Sequence, residues 1–166
     1  MAGREGPDPD ERDGLALTVD VAVVVDHPDQ PKIDPDAISA LVGATLRAEG
    51  ATGPWEVTVA IVTDDHLAGL HARFLGDPSP TDIMTFPRED TDEGTGNAAV
   101  RGGDLVISWD RAAEQGAEHG MTTGEEVRFL VVHGLLHLCG WKDDTDERRA
   151  TMLARGAEIT RQVATT

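Results

Sequence analysis

From Phe129 to Cys139 the chain is apolar almost without interruption, and only His133, Gly134 and His137 break the run. A helix that is apolar nearly all round must be buried, so the rest of the fold has to wrap around this segment. The two histidines sit four residues apart, which places them on one helix face, about 6 Å apart along the axis. Gly140 follows, suited to end the helix in a left-handed conformation. The chain then turns back and offers a carboxylate, Asp143 or Asp144, from the next loop. Two imidazoles and one carboxylate suit zinc with a fourth position open to water, the pattern of a catalytic centre.

A single histidine in a buried helix is ordinarily a core residue with a hydrogen-bond partner. Two at ligand spacing, followed by Gly and then Asp, point to a metal. Gly134 adds weight, because glycine inside a helix costs roughly 1 kcal/mol against alanine, and a close approach beside the site would explain it. Cys139, two residues after His137, points about 200° away around the helix and reads as a small buried hydrophobe. Zinc peptidases also place two histidines at this spacing, with a Glu directly after the first as general base. Gly134 occupies that position, which counts strongly against that chemistry and leaves a zinc peptidase as the lesser alternative. The set resembles the facial triad of iron(II) oxygenases as well, so metal identity stays open. The carboxylate removes one unit of charge and favours harder ions such as Mn²⁺.

The remaining segments predict an α/β (mixed α+β) single domain with a small, about four-stranded mixed sheet. Residues 1–14 read as a disordered acidic tail and 15–166 as the domain. Strands are expected over Leu15–Val25, Trp55–Val62, Thr81–Pro87 and Asp104–Ser108. Pro87 places the third of these at an edge or at its end. Asp34-Pro35 starts a helix that ends near Gly50. Thr63 caps a second helix carrying His66 and His71. A third spans Trp109–Glu118. Thr122 or Thr123 caps the histidine helix, with Thr123-Gly124-Glu125-Glu126 in capping-box form. The last helix spans Asp144–Val163. His27 reads as a surface residue, and Arg88–Gly103 as an acidic loop, either a plain hairpin connection or a lid. Asp104 is either the first residue of its strand or a hydrogen-bond partner of a metal ligand.

His133-Gly134-Leu135-Leu136-His137-Leu138-Cys139-Gly140-Trp141 resembles the H-G-x-L-H-L-x-G-(aromatic) motif of the YbeY family of metal-dependent endoribonucleases. Pro80-Thr81-Asp82-Ile83-Met84-Thr85-Phe86-Pro87 is similar to that family's P-T-D-V-L-S-F-P segment, and Gly103-Asp104-Leu105-Val106-Ile107-Ser108 to its G-D-I-x-I-S strand. The resemblance implies zinc held by His133, His137 and Asp143, one ion per chain, with other divalent metals open. Asp143 stands where the family carries an imidazole. The family's Asn and Arg align with His71 and Leu75; Arg73, two residues away, is the candidate stand-in that contacts phosphate. The implied function is hydrolysis of single-stranded RNA by metal-activated water, in 16S rRNA 3′-end maturation and ribosome quality control. Ribosomal RNA and the small ribosomal subunit would be the partners.

Net charge complicates that expectation. The 166 residues hold 31 acidic against 14 basic side chains, a balance of −17, which opposes nonspecific attraction to nucleic acid. A groove built from Arg47, Arg73, Arg88, Arg101 and Arg128 would overcome it. Without such a groove, a non-catalytic ribosome-associated factor with a structural metal becomes the competing expectation. The single Cys139 forms no intrachain disulfide, the first residues lack a signal-peptide core, and no apolar run reaches the roughly 18 residues of a membrane span. A cytoplasmic protein is expected.

Overall fold

The computed structural model describes residues 15–77, 79, 81–88 and 100–164. Its elements are β1 (Thr18–Asp26), α1 (Pro35–Ala48), β2 (Pro54–Val62), α2 (Asp64–Leu75), β3 (Ile83–Pro87), β4 (Arg101–Ser108), α3 (Trp109–Glu118), α4 (Thr123–Leu138) and α5 (Asp146–Ala164). The sheet runs β1-β2-β4-β3, with β3 alone antiparallel. This is the expected four-stranded mixed sheet. Pro87 ends the edge strand β3, where its missing N–H costs no central ladder bond.

Strand alternation divides the core in two. Trp55, Val57, Val59 and Ile61 of β2 and Leu105 and Ile107 of β4 face α1 and α4. Their neighbours Val62, Met84 and Val106 face the other way and pack on Leu67 of α2. Met152 and Ile159 of α5 join the first cluster and close over α4. The histidine helix is thus enclosed by sheet and helices, which is why its sequence is apolar nearly all round. Among the described residues no helix is long and apolar enough to cross a membrane.

Several local expectations need correction. β4 begins at Arg101 rather than Asp104, because Gly102 and Gly103 act in the strand rather than the loop. A Cβ on Gly102 would lie 1.8 Å from the Glu56 carbonyl oxygen of β2, so only glycine lets the two strands pair there. Residues 1–14 and 89–99, which carry the tail and most of the hairpin loop, lie outside the described residues. The antiparallel pairing of β3 with β4 fits the plain hairpin connection.

The capping box belongs to Thr122 and Glu125. The Thr122 hydroxyl accepts from the Glu125 amide at 3.1 Å, and the Glu125 carboxylate accepts from the Thr122 amide at 2.9 Å. Glu126 is left free to point inward and is buried. α5 starts two residues later than expected, with the Thr145 hydroxyl accepting from the Arg148 amide at 3.0 Å.

His27 is buried, not a surface residue. Its Nδ1 accepts from the Asp29 amide at 3.1 Å, so Nε2 carries the proton and donates to Asp110 at 2.9 Å. The other Asp110 oxygen accepts from the Asp64 amide at 2.9 Å. One carboxylate therefore ties the end of β1 to the starts of α2 and α3. Burial alone would raise the Asp110 pKa, but the Asp64 amide and His27 outweigh it and hold the carboxyl below its ordinary value.

Candidate metal centre

Gly134 sets how closely α4 lies on the sheet. A Cβ there would come within 2.8 Å of Leu105 Cδ2 and 3.0 Å of Ile83 Cδ1. The helix rests on β3 and β4 at this point, and the expected close approach is to the sheet. His133 and His137 flank the contact, their ring centroids 4.9 Å apart and nearly perpendicular at 83°. His133 stacks on Phe129, one turn earlier, at 6.1 Å and 22°.

The end of α4 delivers the third group. Gly140, at φ 103°, reverses the chain; its amide donates to the His137 carbonyl and the Trp141 amide to the Leu136 carbonyl, both at 3.0 Å. This pair of bonds is the Schellman pattern. It brings the Trp141 carbonyl over His137, whose Nδ1 donates to it at 3.2 Å. In the neutral ring this leaves Nε2 of His137 as the nitrogen with the lone pair, and it faces the loop. There Asp143 Oδ2 lies 3.3 Å from His137 Nε2 and 3.5 Å from His133 Nε2. Asp144 instead pairs with Arg148 at 2.9 Å, so Asp143 is the carboxylate in the cluster.

His133, His137 and Asp143 form a group that could hold a metal ion, each offering one atom within 4.8 Å of the others. The two carboxylate–imidazole separations, 3.3 and 3.5 Å, fit such an ion: bonds of about 2.0–2.1 Å in a tetrahedral arrangement put ligand atoms roughly 3.3–3.4 Å apart. Burial, reinforced by the neighbouring His137, pushes the His133 pKa below its ordinary value against the opposing pull of Asp143 and Asp82. A neutral imidazole is the ligating form.

The cluster lies in a cleft of about 400 Å³, lined also by Asp82 and Thr85 at and just before β3 and by Arg149 and Leu153 of α5. Asp82 comes from the segment before β3 and Arg149 from an exposed helix face, and neither stood out in the sequence as a site residue. Arg47, Arg73, Arg88, Arg101 and Arg128 do not line the cleft. Arg73 and His71 belong to α2, which packs on the opposite face of the sheet. His71 Nδ1 bonds the Ser79 carbonyl at 3.0 Å, and Arg88 pairs with Glu56 at 2.8 Å. Asp104 is exposed, on the strand face opposite Leu105 and the histidine helix, so it partners no ligand of the cluster; nor is it the first residue of its strand, which starts at Arg101. Cys139 is half-buried and outside the cluster, and burial pushes its thiol up to about 11.

Fold and cluster together define an α/β protein with an open two-histidine, one-carboxylate centre at the mouth of a cleft. Comparison with known proteins places it further. The family profile described as Endoribonuclease YbeY matches residues 25–164. The chain is 39% identical to the endoribonuclease YbeY of Roseiflexus sp. (strain RS-1), over 87% of this chain and 91% of that one. Against the endoribonuclease YbeY of Bacillus subtilis the identity is 35%, over 74% of this chain and 81% of the relative. The solution structure of TM1509 from Thermotoga maritima shares the fold, with a TM-score of 0.55 at 21% identity, covering 86% of this chain and 88% of that one. The chain belongs to the endoribonuclease YbeY family.

Proposed function

We propose that this protein is a cytoplasmic, single-strand-specific metallo-endoribonuclease that acts in rRNA 3′-end maturation and ribosome quality control. The observation that carries the proposal is the convergence of His133, His137 and Asp143 on one point of an open cleft, in a chain of this family.

His133 Nε2, His137 Nε2 and Asp143 Oδ2 would hold the ion, and zinc is the metal that their number and spacing suit. When bound, such an ion supplies Lewis-acid chemistry, polarising a phosphoryl oxygen and making water a better nucleophile near neutral pH. The chain's own residues prepare the site. The Trp141 carbonyl fixes the His137 tautomer and ring orientation, a role in which outer groups tune ligand affinity. Phe129 stacks on the His133 ring, and burial lowers its pKa, favouring the neutral imidazole. Asp82, which lines the same cleft, offers a carboxylate that would accept a hydrogen bond from a ribose hydroxyl or a water. For one RNA strand to reach Arg73 as well, it would have to run round the β3 edge, because α2 packs behind the sheet.

The test is metal content by elemental analysis, paired with cleavage of single-stranded and duplex RNA, for wild type and Asp143→Ala. About one ion per chain, cleavage of single strands only, and loss of both on substitution are expected. A wild type that carries metal and never cleaves would instead support the binding factor that the charge of −17 favours. A wild type that takes up no metal would sink the site.

A further inference from the structure

We infer that Arg149 is the residue by which this cleft grips a phosphate of its substrate; the inference rests on the endoribonuclease proposal above. Among the described residues, Arg149 is the one Lys or Arg that lines the cleft. It stands one turn before Leu153 on α5, and both line the same wall, so this helix face is turned toward the cluster. The neighbouring arginines of α5 are engaged elsewhere: Arg148 holds Asp144 at 2.9 Å, and Arg155 holds Glu49 at 2.8 Å. Arg149 has no ion pair and no side-chain hydrogen bond among the described residues.

The charge balance of the cleft makes this arginine matter. A divalent ion's two positive charges are matched by Asp82 and Asp143, the two carboxylates in the cleft. Only the Arg149 guanidinium then leaves the cleft net positive, in a protein whose overall charge of −17 repels a polyanion. A guanidinium also presents a planar fork of N–H donors that matches two phosphate oxygens at once. With the ion held by α4 and the loop after it, and Arg149 supplied by α5, a phosphodiester bound in the cleft would meet two positive charges from separate elements.

The test measures binding and cleavage of a fluorescent single-stranded oligouridine over a salt series, with metal content determined for every protein. It compares wild type, Arg149→Ala, Arg149→Lys and Arg161→Ala, the last removing a charge from the exposed far end of the same helix. Arg149→Ala should keep its metal, bind roughly ten- to a hundredfold more weakly, and flatten the slope of log affinity against log salt by about 0.7. Arg149→Lys should restore the slope and only part of the affinity. Arg161→Ala should match wild type. If wild type cleaves and Arg149→Ala behaves like Arg161→Ala, the inference is overturned while the endoribonuclease proposal stands. If metal-loaded wild type binds RNA without cleaving it, the hydrolytic proposal falls, and the slope difference alone decides for or against Arg149. Absence of RNA binding by wild type overturns both.

Discussion

The ring of His137 donates from Nδ1 to the main-chain carbonyl of Trp141 at 3.2 Å, four residues further on. That carbonyl is aimed by the left-handed Gly140 between them, at φ 103°. The helix cap and the ligand orientation are therefore one device. Gly140→Ala forces a Cβ into a conformation that costs about 1–2 kcal/mol for an L-residue. Relief by unwinding the turn would swing the carbonyl off His137. Zinc affinity, read with a competing chelator, should fall roughly 10–100-fold, as when an outer partner of a metal histidine is lost. Unchanged affinity would show that Asp143 alone orients the site.

Glu49, at the C-terminal end of α1, anchors the same loop. Its carboxylate accepts from the Trp141 indole at 2.6 Å and from Arg155 Nε at 2.8 Å, joining α1, the loop after α4, and α5. Glu49→Ala leaves a half-buried indole N–H and a guanidinium without this acceptor and should destabilise by about 2–4 kcal/mol. Glu49→Gln keeps an acceptor for Trp141 and should lose about half as much. Urea midpoints measure both. A Gln variant as damaged as the Ala variant would mean that the charge on Arg155, not the bond to Trp141, dominates.

Gly134 and Leu105 are in contact such that an added methyl must displace one of them. Overpacking of a core costs typically 1–3 kcal/mol, against about 1 kcal/mol gained in helix propensity. Gly134→Ala should therefore be net destabilising by about 1 kcal/mol, and Gly134→Val by more. The Leu105→Val background removes the two Leu105 Cδ atoms that meet the new methyl and leaves the Ile83 Cδ1 contact, so Gly134→Ala should cost less there. A double-mutant cycle in denaturant reads the coupling. Gly134→Ala stabilising the wild type would refute the packing account.

The pair His133 and His137 was legible because ligand spacing and helix period coincide, and Asp143 because the turn after Gly140 is too short to carry it away. The strands were legible from their β-branched runs. Partners distant in sequence were not. His27 looked like a loop residue because its partner, Asp110, lies 83 positions away. Glu126 looked like part of a helix cap because its burial depends on α3. Arg149 resembled any charge on a solvated helix, and only the docking of α5 against α4 shows which wall it lines. Arg73 shows the converse: the period of its helix was plain, but the sheet face that the helix covers was not.

Glu126 is buried beside α3, where His119 Nδ1 lies 3.5 Å from its carboxylate. With its amide nitrogen turned toward the acids, Gln115 donates to Glu126 at 3.3 Å and to Asp82 of the cleft at 3.1 Å. Burial raises the Glu126 pKa above its ordinary value, with His119 opposing. A carboxyl whose folded pKa exceeds its unfolded one binds its proton more tightly when folded. Its contribution to stability is thus present in acid, below the unfolded pKa, and lost as pH rises through the folded pKa. Glu126→Gln cannot ionise yet keeps an acceptor for Gln115. The variant should be more stable than wild type above the carboxylate range, and the gap should close as pH falls through it. Asp110, Asp144 and Glu125 shift the opposite way but are common to both proteins and cancel in the difference. Urea midpoints taken from acid to neutral pH would show the gap opening as pH rises; a gap independent of pH would mean that Glu126 stays ionised in the fold and acts only through its hydrogen bonds.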